Sequence, residues 1–284
     1  MSLHSNLGIL YIVATPIGNL NDFTFRAVEI LSAVDIIAAE DTRHSKKLLQ
    51  HYGISTACMA VHEHNEKQAL SGLIRRLSEG KDVALISDAG TPLICDPGYP
   101  LVKAVRSAGF RIIPIPGSNA AIAALSAAGL PTDRFCFQGF LPAKSNARRL
   151  ELQALSTETR TMVFYETPHR VRTTVEDMCQ IFGTDRLLVL ARELTKLHEH
   201  IHLDNLENMI KWLQGDANHA KGEMVLVLEG CSEVCNVDEV EEDRILKLIL
   251  QELSTKKAAA LTATITGGKK NRLYQRALEI QGKD

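Results

Sequence analysis

The stretch ILYIVATPIGNLNDFTFRAVEILSAVDIIAAE (residues 9–40) decides the architecture. ILYIVA (9–14) is apolar and rich in β-branched residues and reads as a strand, FRAVEILSAV (25–34) repeats its apolar residues at helical spacing, and DIIAAE (35–40) is strand-like again. A strand, a helix and a second strand at these lengths predict the start of a mostly parallel sheet. Working outward, TACMAV (56–61), DVALIS (82–87) and FRIIPI (110–115) continue the strands, with helical segments around 66–79 and 98–108 between them. The expectation is an α/β lobe over residues 1–118 with a mostly parallel sheet covered on both faces.

From PGSN (116–119) the helical AAIAALSAAG leads into a second series. FCFQGF (135–140), TMVFYE (161–166), RLLVLARE (186–193), EHIHL (199–203) and EMVLVLEG (223–230) read as strands, with helices near 147–155, 168–182 and 205–214. That predicts a second α/β lobe over 119–231. SEVCNVDEVEED (232–243) breaks the pattern and reads as an acidic linker, and 244–284 reads as a small helical unit with helices at 244–253, 256–265 and 269–281.

Composition narrows the class. With 45% hydrophobic and 23% charged residues, the 284-residue chain is an ordinary globular one, neither disordered nor fibrous. No apolar run approaches the roughly 18 residues that cross a bilayer, and MSLHSNLGILYIVATP lacks a basic n-region, so a cytoplasmic protein without membrane contact is expected. Cysteines at 58, 95, 136, 179, 231 and 235 do not form the paired spacing of a zinc site, so no metal is expected. The net charge of −2 hides an asymmetry: residues 244–284 hold nine Lys/Arg against three Asp/Glu, leaving −8 on the rest. A basic appendage on an acidic body suggests a polyanionic partner, although solvated helix faces have the same composition.

The turns that follow the strands carry the chemistry. In an open α/β sheet, ligands sit at the carboxyl ends of the strands. TPIGNL (15–20) occupies the first such turn, yet it has only Gly18 where a dinucleotide fold needs G-x-G-x-x-G, even though Glu40 and Asp41 mimic the ribose-binding acid; no G-x-x-x-x-G-K-[ST] occurs either. EDTRHSKK (40–47) packs two acids, a Thr and three cations after a strand; Asp41 or Thr42 there can equally be a helix cap, and Arg43, Lys46 and Lys47 either phosphate contacts or an exposed charge run. SDAGTPLICDPGYP (87–100) is the most informative loop, because a run this long inside a compact domain is usually functional and its glycines let a ligand approach the main chain. In PIPGSNAA (114–121), Ser118 or Asn119 can cap the next helix and donate to a ligand.

Together with ALSAAGLPTDRFCFQGFLPAKS, FYETPHR, ARELTK and KGEMVLV, these segments resemble the tetrapyrrole methylase family of S-adenosylmethionine-dependent enzymes, in its ribosomal-RNA branch. The resemblance runs from about residue 9 to 281 and rests on several long motifs in order. It implies two α/β lobes with the cofactor, S-adenosyl-L-methionine, in the cleft between them, a homodimer, and transfer of methyl to the ribose 2′-hydroxyl of a cytidine in the decoding region of 16S rRNA in the small ribosomal subunit. By the same analogy the cofactor-lining positions are Pro16, Asp88, Ala89, Gly90, Leu93, Ser118, Asn119, Glu166, Leu194 and Glu223. The wider family often has Gly-Asp-Pro in the long loop; Asp88-Ala89-Gly90 here argues against a tetrapyrrole as substrate, which remains the alternative beside a non-catalytic RNA-binding assembly factor.

Methyl transfer from a sulfonium is an in-line displacement in which positioning supplies much of the rate, and a ribose hydroxyl also needs a base within reach. Asp88, Glu166 and His169 are the candidate bases, and each also has a purely structural reading. In the tail, Lys256, Lys257, Lys269, Lys270 and Arg272 fit a phosphate-contacting unit.

Overall fold

The computed structural model describes residues 7–61, 66–231 and 237–282. The first sheet takes its strands from β1 (Ile9–Val13), β2 (Ile36–Ala39), β3 (Cys58–Ala60), β4 (Val83–Ile86) and β5 (Arg111–Ile115), with helices α1 (Phe25–Ala33), α2 (Thr42–His51), α3 (Glu66–Ser78) and α4 (Tyr99–Ser107) between them. Its order is β3-β2-β4-β1-β5 and every neighbouring pair is parallel. All four residues of β2 and of β4 are buried, because helices cover both faces and leave no side for water. Leu31, Ile37 and Ile86 pack one face and Leu10, Leu73 and Leu101 the other.

Helix α5 (Ala120–Ala127) opens the second half. There β6 (Phe135–Phe140), α6 (Ser145–Ala154), β7 (Thr161–Glu166), α7 (Val171–Phe182), β8 (Leu187–Arg192), β9 (His200–Asn205), α8 (Leu206–Gly215) and β10 (Met224–Leu228) build a sheet ordered β6-β7-β10-β8-β9. Only β6 and β7 run parallel; β10 is antiparallel to β7 and β8, and β9 to β8. Helices α6, α7 and α8 cover one face around Phe164, Met178 and Leu190, while α5 covers the other against Val163, Val189 and Val227. Asp177 on α7 holds α6 in place: its carboxylate pairs with Arg148 and Arg149, both at 2.6 Å, with Arg148 and Asp177 almost fully buried.

The chain ends in α9 (Val237–Ile249), α10 (Thr255–Thr266) and α11 (Lys270–Ile280) around Leu246, Ala258, Ala259, Leu273 and Ala277. Gly267 closes α10 in the left-handed conformation (φ 77°), where a residue without Cβ is unstrained. The acidic linker expected at 232–243 is corrected here: 232–236 lie outside the described residues, and from Val237 the chain is already helical. The acids at its end have partners that the sequence pattern does not reveal. Buried Glu242 pairs with Arg272, and Asp243 with Arg276 at 2.6 Å, so they tie α9 to α11.

Candidate functional site between the lobes

The turns after β1 and β4, neighbours in the first sheet, are joined by an isolated bridge. Thr15 N–H donates to the Gly90 carbonyl at 2.8 Å and Gly90 N–H to that of Thr15 at 3.0 Å. Gly90 sits at φ 79°, and a Cβ there would lie 3.3 Å from Ile17, so the position is restricted by conformation and by space. A second fastening runs from the β2–α2 turn to the same loop, where Asp41 N–H donates to Asp88 Oδ1 at 3.1 Å. Asp41 itself caps α2 through Arg43 N–H at 2.8 Å, and the Arg43 guanidinium holds its carboxyl well below the usual carboxylate range.

These turns form one wall of a cavity of ≈ 370 Å³, and the second lobe forms the other. Asp88, Ala89, Gly90 and Asn119 line it from the first side, Glu166, Leu194 and Glu223 from the second. Four expected site residues lie outside it. Pro16 is buried behind the Thr15–Gly90 bridge. Leu93, at φ 72°, turns its side chain against the first lobe's core. Ser118 faces outward, its hydroxyl 3.4 Å from the Asp22 carbonyl, and serves the site through its own carbonyl, which accepts from Thr91 Oγ1 at 3.0 Å. His169 is exposed.

The candidate bases therefore separate. Glu166 is buried and its carboxylate is committed within its own lobe: it accepts from Thr167 N–H at 2.7 Å and Thr174 Oγ1 at 2.6 Å and pairs with Arg170 at 3.4 Å. Glu223 at the rim is bound to Lys196 Nζ at 2.9 Å, which also holds Glu193 at 3.0 Å. Asp88 makes no ion pair among the described residues.

Several lining residues escape a sequence reading. Glu40 and Asp96 join Asp88 at the first-lobe wall, and Ile94, Cys95, Phe140 and Tyr165 supply apolar and aromatic surface. Burial pushes the Glu40 carboxyl up, with Asp96 and Asp88 adding to the rise. Burial also raises that of Asp96, against a hydrogen bond from Ser87 and with Asp88 adding to it. Glu40 stood out in the sequence only as a mimic of a ribose-binding acid, and nothing local marks Asp96.

The positive residues lie elsewhere. Arg43, Lys46 and Lys47 are exposed on α2, and Lys256, Lys257, Lys269 and Lys270 on the C-terminal helices; Arg272 is committed to Glu242. Five carboxylates and no Lys, Arg or His are found among the described residues that line the cavity.

The model for Tetrapyrrole (Corrin/Porphyrin) Methylases matches residues 9–210. The chain belongs to the tetrapyrrole methylase family. The model named RsmI C-terminal HTH domain matches residues 236–281. Among similar proteins, "Ribosomal RNA small subunit methyltransferase I" of Escherichia coli is 54% identical over 99% of this chain and 98% of its own length, and the protein of that name from Synechocystis sp. is 45% identical over 97% and 99%. Among solved structures, uroporphyrin-III-C-methyltransferase from Thermus thermophilus superposes with TM-score 0.53 at 20% identity over 82% of this chain and 96% of its own. Cobalt precorrin-4 methyltransferase does so with TM-score 0.59 at 16% over 80% and 97%, so the two-lobed fold is that of the methylases.

S-adenosylmethionine is the methyl donor of this family, and the cavity fits it. The volume is that of a small-molecule site, and Glu40, Asp88 and Asp96, which have no ion-pair partner among the described residues, suit a ligand carrying a sulfonium and an ammonium. The methylase should therefore bind its cofactor more weakly as pH falls from neutrality. Glu40 and Asp96 have raised pKa values, so they protonate earlier than ordinary acids and the attraction disappears with their charge. Titration calorimetry should show this decline, and the pair of substitutions Glu40→Gln and Asp96→Asn should flatten it.

Proposed function

We propose that this methylase transfers the methyl group of S-adenosylmethionine to the ribose 2′-hydroxyl of a cytidine in the decoding region of 16S rRNA. The observation that carries this reading is the match to relatives named ribosomal RNA small subunit methyltransferase I, 54% identical along 99% of the chain. Residues 1–118 and 119–231 are read as the two cofactor-holding lobes and 244–284 as the RNA-contacting unit, acting in the cytoplasm as a homodimer. An apolar strip supports the last point: Ile201 and Leu203 on edge strand β9 remain 37% and 46% exposed beside the α5-covered face.

Bound in the cavity, S-adenosylmethionine supplies an electrophilic methyl. The protein's part is to align the hydroxyl with it and to take the proton. Asp88 is the group placed for that step, since it lines the cavity and one oxygen is already oriented by Asp41 N–H. Glu166 acts as a positioning residue, fixing Thr167 and Pro168 in the wall, and His169 is left no part in the chemistry.

Exposed cations on α2 and on the C-terminal helices are read as phosphate contacts that hold the RNA without reading its sequence. Replacing Lys256, Lys257, Lys269 and Lys270 together by Gln should flatten the dependence of log affinity on log salt by roughly 3–4, at about 0.7–0.9 per lost contact. Filter binding to small subunits across a salt series measures this. The reading itself is tested by offering labelled cofactor with either small subunits or a tetrapyrrole: label should enter RNA, and label in the tetrapyrrole alone would overturn it.

A further inference from the structure

The ring of Phe140 stands at the mouth of the cavity, 50% exposed, where an apolar side chain without a partner costs free energy. Its orientation is a product of strand irregularity. In the β6–β7 ladder Phe137 pairs with Val163, but the next partners are Gly139 with Phe164 and Phe140 with Tyr165, so one residue of β6 is left over at 138. Without that extra residue, alternation would put Phe140 on the face opposite Phe137. With it, Phe140 comes to the face of Phe137 and Tyr165, and bulges beside active sites commonly re-aim a side chain in this way.

Two further features build the place. Gly139, at φ 66°, brings β6 against the long loop so closely that a Cβ would lie 3.0 Å from Cys95 Sγ, another cavity residue. Behind Phe140, the Tyr165 ring lies tilted against it at 5.5 Å and 60°, and Phe137 supports Tyr165 edge-on at 4.9 Å and 71°. The result is a braced aromatic surface with one free face.

We infer that Phe140 is the platform on which the nucleobase of the methylated nucleotide stacks. The inference rests on the RNA reading above. A cofactor in a cavity of this kind is mostly enclosed, whereas the exposed ring at the mouth meets what arrives from solvent, and RNA is bound through unstacked bases laid on aromatic rings. This also gives the target nucleotide a contact near its ribose.

The test compares wild type with Phe140→Ala, Phe140→Leu and Phe140→Trp for labelled methyl transfer to small subunits and for equilibrium dialysis of labelled cofactor. Loss of one stacked base predicts a fall in kcat/KM of about 5- to 150-fold for Phe140→Ala. Phe140→Leu, which keeps apolar bulk and guards against a folding defect, should fall similarly, Phe140→Trp should recover, and the fall in kcat/KM should exceed any change in cofactor affinity. Unchanged kcat/KM in Phe140→Ala and Phe140→Leu, or a loss that follows cofactor affinity, would overturn the role of Phe140 while active wild type leaves the RNA reading standing. Wild type that transfers no methyl to subunit RNA would remove both.

Discussion

Replacing Asp88 by Asn is expected to slow turnover by about 10²- to 10⁴-fold, the span that a positioned general base contributes. The substitution is nearly isosteric, and its amide oxygen still accepts from Asp41 N–H, so the junction between the β2–α2 turn and the long loop is kept. What disappears is the capacity to take a proton. Single-turnover methylation at saturating cofactor measures the loss, and cofactor affinity should change far less than the rate. Glu166→Gln provides the contrast. That carboxylate accepts from Thr167 and Thr174 and pairs with Arg170, so its replacement should appear first as lower thermal stability. A rate for Asp88→Asn within a few-fold of wild type would make Asp88 a loop fastener.

The second large effect is on stability. Asp177→Ala strands Arg148, whose side chain is 4% exposed, and should cost about 3–5 kcal/mol in urea unfolding. The same acid also pairs with Arg149, but that side chain is 50% exposed, and Arg149→Ala should cost about 0–1 kcal/mol. Burial raises the Asp177 carboxyl while hydrogen bonds from Arg149 and Arg148 outweigh it, leaving it below its ordinary value. The stability it contributes is accordingly present above the unfolded-state value and lost as pH falls through the folded one. A small loss for Asp177→Ala would mean that α6 and α7 are held by their apolar faces alone.

Local pattern made the elements legible, and FCFQGF and TMVFYE coincide with β6 and β7 to the residue. Strand runs of this kind carry their own periodicity, and turn residues punctuate them. Pairing is not local. Nothing in EMVLVLEG says that β10 enters between β7 and β8 and antiparallel to both, because that choice is made by surfaces far apart in sequence. Glu242 and Asp243 show the same limit: they read as part of a linker until Arg272 and Arg276, about 30 residues later, are seen to pair with them.

The site divides in the same way. Loops at strand ends could be picked out by their Gly, Pro and Asp content, and within them Asp88, Ala89, Gly90 and Asn119, positions implied by the family resemblance, line the cavity. Which way a side chain points within such a loop depends on backbone angles that composition does not encode, and Leu93 at φ 72° turns into the core. Phe140 needed the bulge at 138, and Asp96 needed the neighbouring carboxylates; neither leaves a sequence signal.

The decisive experiment is to incubate the purified protein with labelled S-adenosylmethionine and small ribosomal subunits from cells lacking the enzyme, then map the label by nuclease digestion and mass spectrometry. One 2′-O-methylcytidine in the decoding region of 16S rRNA is the expected product. Label on a base, on several unrelated riboses, or absent from RNA while the cofactor is bound would contradict it.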